Sequence, residues 1–132
     1  MPLKTFDDRN IQLTDQISHV FQTTSGSGNI SQVHYFDIEG DGFVIVTCSV
    51  QTTGSTSDYG SSYGQIYLNS DVIVHNYNRL TTANTENQGI ELSAGIQVSD
   101  GDVIQCRLTQ TKNGTKTFRW YCLCVGCTAT YR

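Results

Sequence analysis

The C-terminal segment WYCLCVGC sets three thiols, Cys122, Cys124 and Cys127, close together in the chain. Structural zinc takes four thiolate or imidazole ligands, commonly from paired C-x2-C units. On a strand, Cys122 and Cys124 would share one face about 7 Å apart. Gly126 would let Cys127 fold back, and Cys48 or Cys106 would be left as a fourth ligand. Cysteine is also a small hydrophobe common in cores. Cys48 and Cys106 stand in step with Val, Ile and Leu neighbours, which favours packing over metal. A disulfide is a third option for an odd set of five thiols. No cofactor or metal is expected, and Cys122, Cys124 and Cys127 stay as the weak metal candidates.

His19, His34 and His75 titrate near neutrality as imidazoles. None of them sits in a nucleophile signature, so they read as packed or surface residues. The acidic pairs Asp7-Asp8, Glu39/Asp41 and Asp100/Asp102 have the chemistry for glycoside hydrolysis or calcium. Glu39-Gly-Asp-Gly and Asp100-Gly-Asp are also ordinary turn sequences, and neither follows the EF-hand pattern. The segment TTGSTSDYGSSYG, 52–64, reads as a long loop. Its Asp58, Tyr59 and Tyr63, with Tyr77 beyond, are the candidate ligand- or receptor-binding residues. Tyrosine among Ser and Gly offers flat amphipathic area at low entropic cost. No catalytic residue is identified, and the chain is expected not to be an enzyme.

The elements that must carry these residues are strands. Phe43 to Thr52 alternates strictly, with Val44, Val46, Cys48 and Val50 on one face, and Val103 to Gln110 does the same through Ile104, Cys106 and Leu108. Further strands are expected at Leu13–Gln22, Val33–Ile38, Gln65–Leu68, Val72–Tyr77, Gly89–Ala94 and Thr117–Val125. Turns fall at 39–42, 69–71 and 99–102, and Asn113-Gly114 is a strong hairpin signal. No window carries a helical stripe. The 132 residues suffice for one domain. With 12 Gly, 12 Ser, 17 Thr and 8 Asn against 37% hydrophobic residues, the composition suits a sandwich or barrel of short strands.

A net charge of −4 argues against nucleic acid, which needs a concentrated cationic surface. Lys112, Lys116, Arg119 and Arg132 read as a solvated rim. No run approaches a membrane span. The N-terminal MPLKTFDDRNIQL shows no signal-peptide h-region, which sets the expectation of synthesis in a cytoplasm.

Three segments in order resemble a family: HYFDIEGDGFVIVTCSV at 34–50, QIYLNSDVIV at 65–74, and LSAGIQVSDGDVIQCRLTQ followed by FRWYCLCVG within 92–126. Together they resemble the jelly roll of the tumour-necrosis-factor and complement-globular-head superfamily, a pattern shared by phage fibre tips and virion surface proteins. The resemblance implies an all-β, antiparallel two-sheet jelly-roll sandwich of about eight strands that trimerises, and it implies no catalysis. Trp120, Cys122 and Cys124 depart from the small residues usual in the family's last strand. Residues 1–29, with Phe6, Ile11, Leu13, Ile17 and Phe21 among polar neighbours, are expected to form an arm or first strand that packs on its own sandwich or anchors an assembly. Residues 30–132 form the jelly roll. The expectation is a non-enzymatic bacteriophage virion surface protein, a capsid decoration or fibre-tip component. Its partners would be its own copies as a homotrimer, a capsid or fibre shaft and possibly a host-surface glycan. The alternative is a carbohydrate- or receptor-binding lectin-like adhesin module.

Overall fold

The computed structural model describes residues 16–25, 30–53, 60–80, 88–112 and 114–132. Among them are nine strands: β1 Gln16–Ser25, β2 Ile30–Glu39, β3 Gly42–Thr53, β4 Gly60–Leu68, β5 Asp71–Leu80, β6 Gln88–Val98, β7 Val103–Gln110, β8 Gly114–Val125 and β9 Thr128–Tyr131. They make two antiparallel sheets, ordered β1-β8-β3-β6 and β5-β4-β7-β2-β9. The pairs β1·β8, β2·β7, β3·β6 and β4·β5 nest inside one another like a long hairpin folded over twice. Successive nested pairs fall in alternate sheets, which is the jelly roll. No described helix is long and apolar enough to cross a membrane.

The alternation in β3 decides which face closes. Val44, Val46, Cys48 and Val50 are fully buried, while Phe43 and Ile45 between them are exposed. β8 answers rung by rung, setting Cys124 opposite Val44, Cys122 opposite Val46, Trp120 opposite Cys48 and Phe118 opposite Val50. Ile90, Leu92, Ile96 and Val98 of β6 continue that inner face, and Phe36, Ile38, Ile66, Ile104, Cys106 and Leu108 of the other sheet cover it. Cross-strand apolar pairs of this kind are the unit of sheet stabilisation.

Four expectations are corrected. Residues 60–64 belong to β4 and not to a loop. Two of the inward positions there are Ser62 and Gly64, so no apolar alternation is visible in the sequence. Ser62 Oγ instead donates to Gln110 Oε1 at 2.7 Å, and a Cβ on Gly64 would come within 2.6 Å of Leu108 Cδ2. β6 runs on to Val98, past Ala94, because Ile96 and Val98 keep its inward rhythm. β9 was not anticipated. After Gly126, at φ +81, the chain crosses to the five-stranded sheet and pairs with Phe36 to Glu39. Finally, Lys112 and Lys116 are buried rather than on a solvated rim: Lys116 holds an inward position near the start of β8, and Lys112, in the connection between β7 and β8, lies against Gly60. Of the N-terminal segment, Ile17 and Phe21 lie in β1, which pairs with β8 over ten residues. Phe6, Ile11 and Leu13 lie outside the described residues.

Phe36 is fully buried and touches the ring of Tyr131 across β2·β9, at 5.7 Å between centroids. Phe36→Ala should destabilise the fold by about 3–5 kcal/mol, measured by urea unfolding followed through the single, buried Trp120.

Candidate functional site

Four groups of residues come to defined places. The first is the end of the sandwich that carries the short turns, where the acidic residues are consumed by backbone. Asp100 Oδ1 accepts from Gly40 N at 2.7 Å, and Asp41 Oδ1 accepts from Asp100 N at 2.9 Å. Asp102 accepts from Ser99 N at 2.8 Å and from Asn69 Nδ2 at 3.1 Å. Asn69, at φ 56, takes Val103 N on its Oδ1. These carboxylates lock the 40–42, 69–71 and 99–102 turns to one another, as turn chemistry predicts.

The second group is the cysteines, all five of which are buried and none of which is in a disulfide. Cys48 and Cys106 meet across the core from opposite sheets, and that contact, with burial, holds the Cys106 thiol well above its ordinary range. Cys122 is pushed up by its contact with Cys124 and by burial. Gly126 brings Cys127 back beside Cys124 and towards the Phe43 carbonyl. Burial first, then Cys124, raises Cys127 to about 11. Among the described residues, no group of three or more His, Cys, Asp or Glu is arranged to hold a metal ion. The raised values of Cys106, Cys122 and Cys127 keep those three thiols neutral at physiological pH.

Around Trp120 a third group gathers. His34 lies over the indole at 4.1 Å between centroids and stacks on Tyr131 at 5.2 Å. Its Nε2 bonds Gln32 Oε1 at 3.3 Å. An amide oxygen only accepts, so Nε2 donates to it, and Nδ1 is hydrogen-bonded to the Tyr131 hydroxyl. Trp120 Nε1 is buried without a partner. Sequence reasoning missed this cluster because its members come from β2, β8 and the unanticipated β9.

The fourth group is on the outer face of the five-stranded sheet. Tyr63 and Tyr77, fourteen positions apart in the chain, are opposite one another in the β4·β5 register. They are 39% and 62% exposed, so two ring faces lie side by side in solvent. The next rungs are Gln65–His75 and Tyr67–Val72, where a bulge between Ile66 and Tyr67 turns the edge. β7 adds Arg107 beside Gln65 and Gln105 beside Tyr67, with the Arg107 guanidinium 5.8 Å from the Tyr67 ring centre. At the far side Arg132 covers Tyr35 at 4.7 Å and bonds Asp37 Oδ2 through Nε at 2.7 Å. This face is flat, aromatic and rich in side-chain donors, the chemistry of sugar stacking and paratopes. His75 is on it. Asp58 and Tyr59 lie outside the described residues.

No protein-family model matches the chain, and no curated protein does. Among solved structures it is similar to three very different proteins. One is infectious bursal disease virus Gx strain, at 11% identity over 83% of this chain and 33% of that chain, with a TM-score of 0.46. Another is a family 35 carbohydrate binding module from Clostridium thermocellum, at 12% identity over 84% and 93% of the two chains, with a TM-score of 0.38. The third is dimeric latent PorU from Porphyromonas gingivalis, at 9% identity over 88% and 10%, with a TM-score of 0.43. The chain thus spans a third of the viral chain and a tenth of PorU. The jelly-roll-like β sandwich is read from the strand order of this chain, and none of these similarities singles out the tumour-necrosis-factor type expected.

Two outcomes follow from this geometry. A thiol reagent at neutral pH should modify none of the five cysteines in the folded protein and all five in guanidinium, because thiolate is the reactive form and burial suppresses it. The Arg132 hydrogen bond, then its charge, lowers the Asp37 carboxyl below its ordinary 3.8. Stabilisation from this pair is therefore present above the ordinary carboxylate range and is lost as pH falls through the lowered value. NMR titration of the Asp37 carboxyl should show that low midpoint, and Arg132→Ala should return it to the ordinary one.

Proposed function

We propose that this chain is a non-enzymatic surface protein of a bacteriophage virion, a capsid-decoration or fibre-tip jelly roll that works as a homotrimer. The observation that supports this most directly is where large apolar side chains remain once the core is closed. Phe43 and Ile45 stand exposed on the outer face of the four-stranded sheet, and Tyr63, Val72, Ile73 and Tyr77 on the five-stranded one. Beside Phe43 a recess of about 710 Å³ runs between Gln97, Val98 and Val125. Grouped apolar exposure marks surfaces that meet other macromolecules. Jelly rolls host capsid and lectin domains, an analogy of fold rather than of site.

The Phe43–Ile45 face is assigned to contact between copies or with the particle. The Tyr63–Tyr77 pair favours a second role, stacking on sugar rings of a host-surface glycan, as in a lectin-like adhesin.

Light scattering should give a trimer for the isolated chain, and a stable monomer at micromolar concentration would overturn the assembly. Phe43→Ser with Ile45→Ser should dissociate that trimer. Mass spectrometry of density-purified particles should find the chain, and its absence would refute the virion role. On a glycan array, Tyr63→Ala and Tyr77→Ala should each remove binding while leaving the melting temperature within a few degrees; unchanged binding would discard the adhesin role.

A further inference from the structure

The inward face of β8 reads Lys116, Phe118, Trp120, Cys122, Cys124, so a lysine takes the last core position before the end where β7 connects to β8. Lys116 is fully buried. An ammonium has three donors, yet among the described residues its hydrogen-bond partner is the Gly114 carbonyl at a long 3.4 Å. Its register partner on β3 is Thr52. Thr52 is 2% exposed, and its Oγ1 is buried with no hydrogen-bond partner. A cation and a hydroxyl short of partners are thus neighbours on one rung. Buried polar groups are normally satisfied, and an isolated buried charge is strongly disfavoured. At the same end the facing sheet is polar too, with Ser62 and Gln110 both fully buried. The connections β1–β2, β3–β4, β5–β6 and β7–β8 all leave from this end of the two sheets.

We propose that Lys116 and Thr52 form the floor of an anion site between the sheets, which takes one oxyanion group, a sulfate, phosphate or carboxylate, from the loop end. The anion supplies the counter-charge that the ammonium lacks and an acceptor for the Thr52 hydroxyl. Burial lowers the Lys116 ammonium from its ordinary range. Lodging an anion there returns it upward. The site does not depend on the virion role, since it rests on the interior of the sandwich alone.

The experiment is a thermal-shift titration at pH 7 and constant ionic strength, with sodium sulfate, phosphate and acetate against chloride. Wild-type protein should show a saturable rise in melting temperature, the signature of a ligand bound to the native state. Lys116→Met should weaken the apparent affinity at least about tenfold, as expected for a lost charged hydrogen bond, and Thr52→Val should weaken it less. General salting effects are not saturable and act on wild type and Lys116→Met alike. Identical curves for the two proteins would therefore overturn the site. Should Lys116→Met fail to fold, NMR of the wild-type Lys116 Nζ decides: its midpoint should rise with added sulfate, and a midpoint indifferent to every anion would refute the proposal. A sulfated or uronic-acid oligosaccharide that saturates at lower concentration than the free ions would assign a glycan as the source of the anion. Equal concentrations would assign the free ion.

Discussion

The register between β3 and β8 is the constraint on which the other contacts depend. These two strands hold the centre of the four-stranded sheet, and together they put eight side chains, from Val44 to Val50 and from Phe118 to Cys124, into the interior. A slip of one residue would exchange that set for Phe43, Ile45, Thr47 and Ser49 on one strand and Arg119 and Tyr121 on the other. The core would then hold a guanidinium and three hydroxyls in place of three valines, three cysteines, a phenylalanine and an indole. With the register set, β6 and β1 are placed on its two sides, and the facing sheet closes over Trp120 and Cys48.

The two ends of the sandwich solve opposite problems. At the turn end, backbone donors of tight turns are met by Asp41, Asp100, Asp102 and Asn69, so charge is spent locally and the connections are short. At the other end the interior itself becomes polar. Ser62 and Gln110 satisfy one another there, whereas Thr52 and Lys116 do not find comparable partners. Polar groups are thus met by nearby backbone at one end and drawn into the interior at the other.

The outer faces divide in a similar way. Outward positions mix Ser, Thr and Gln with charged and aromatic residues. The exposed large apolar side chains fall mainly in two groups, Phe43 with Ile45 on one sheet and Tyr63, Val72, Ile73 and Tyr77 on the other, with Val33 apart. The β5 edge that carries Tyr77 is exposed along most of its length, and the bulge at Ile66/Tyr67 twists it, a device that discourages unspecific strand pairing.

Local sequence determined the strands whose inward residues are apolar. The alternations of 43–52 and 103–110 and the turns at 39–42, 69–71 and 99–102 are visible because period-two burial and positive-φ geometry leave residue-level marks. The burial of Cys48, Cys106, Cys122 and Cys124 was legible on the same ground. Where an inward position holds Ser62, Gly64 or Lys116, the mark disappears, since such residues are tolerated inside only because of groups on other strands. Hence the start of β4, the buried lysines and β9 were decided by tertiary structure alone. So were the pairing of Tyr63 with Tyr77 and the gathering of His34, Trp120 and Tyr131. Each joins residues that are distant in the chain, and no local propensity carries information about which strand will lie beside which.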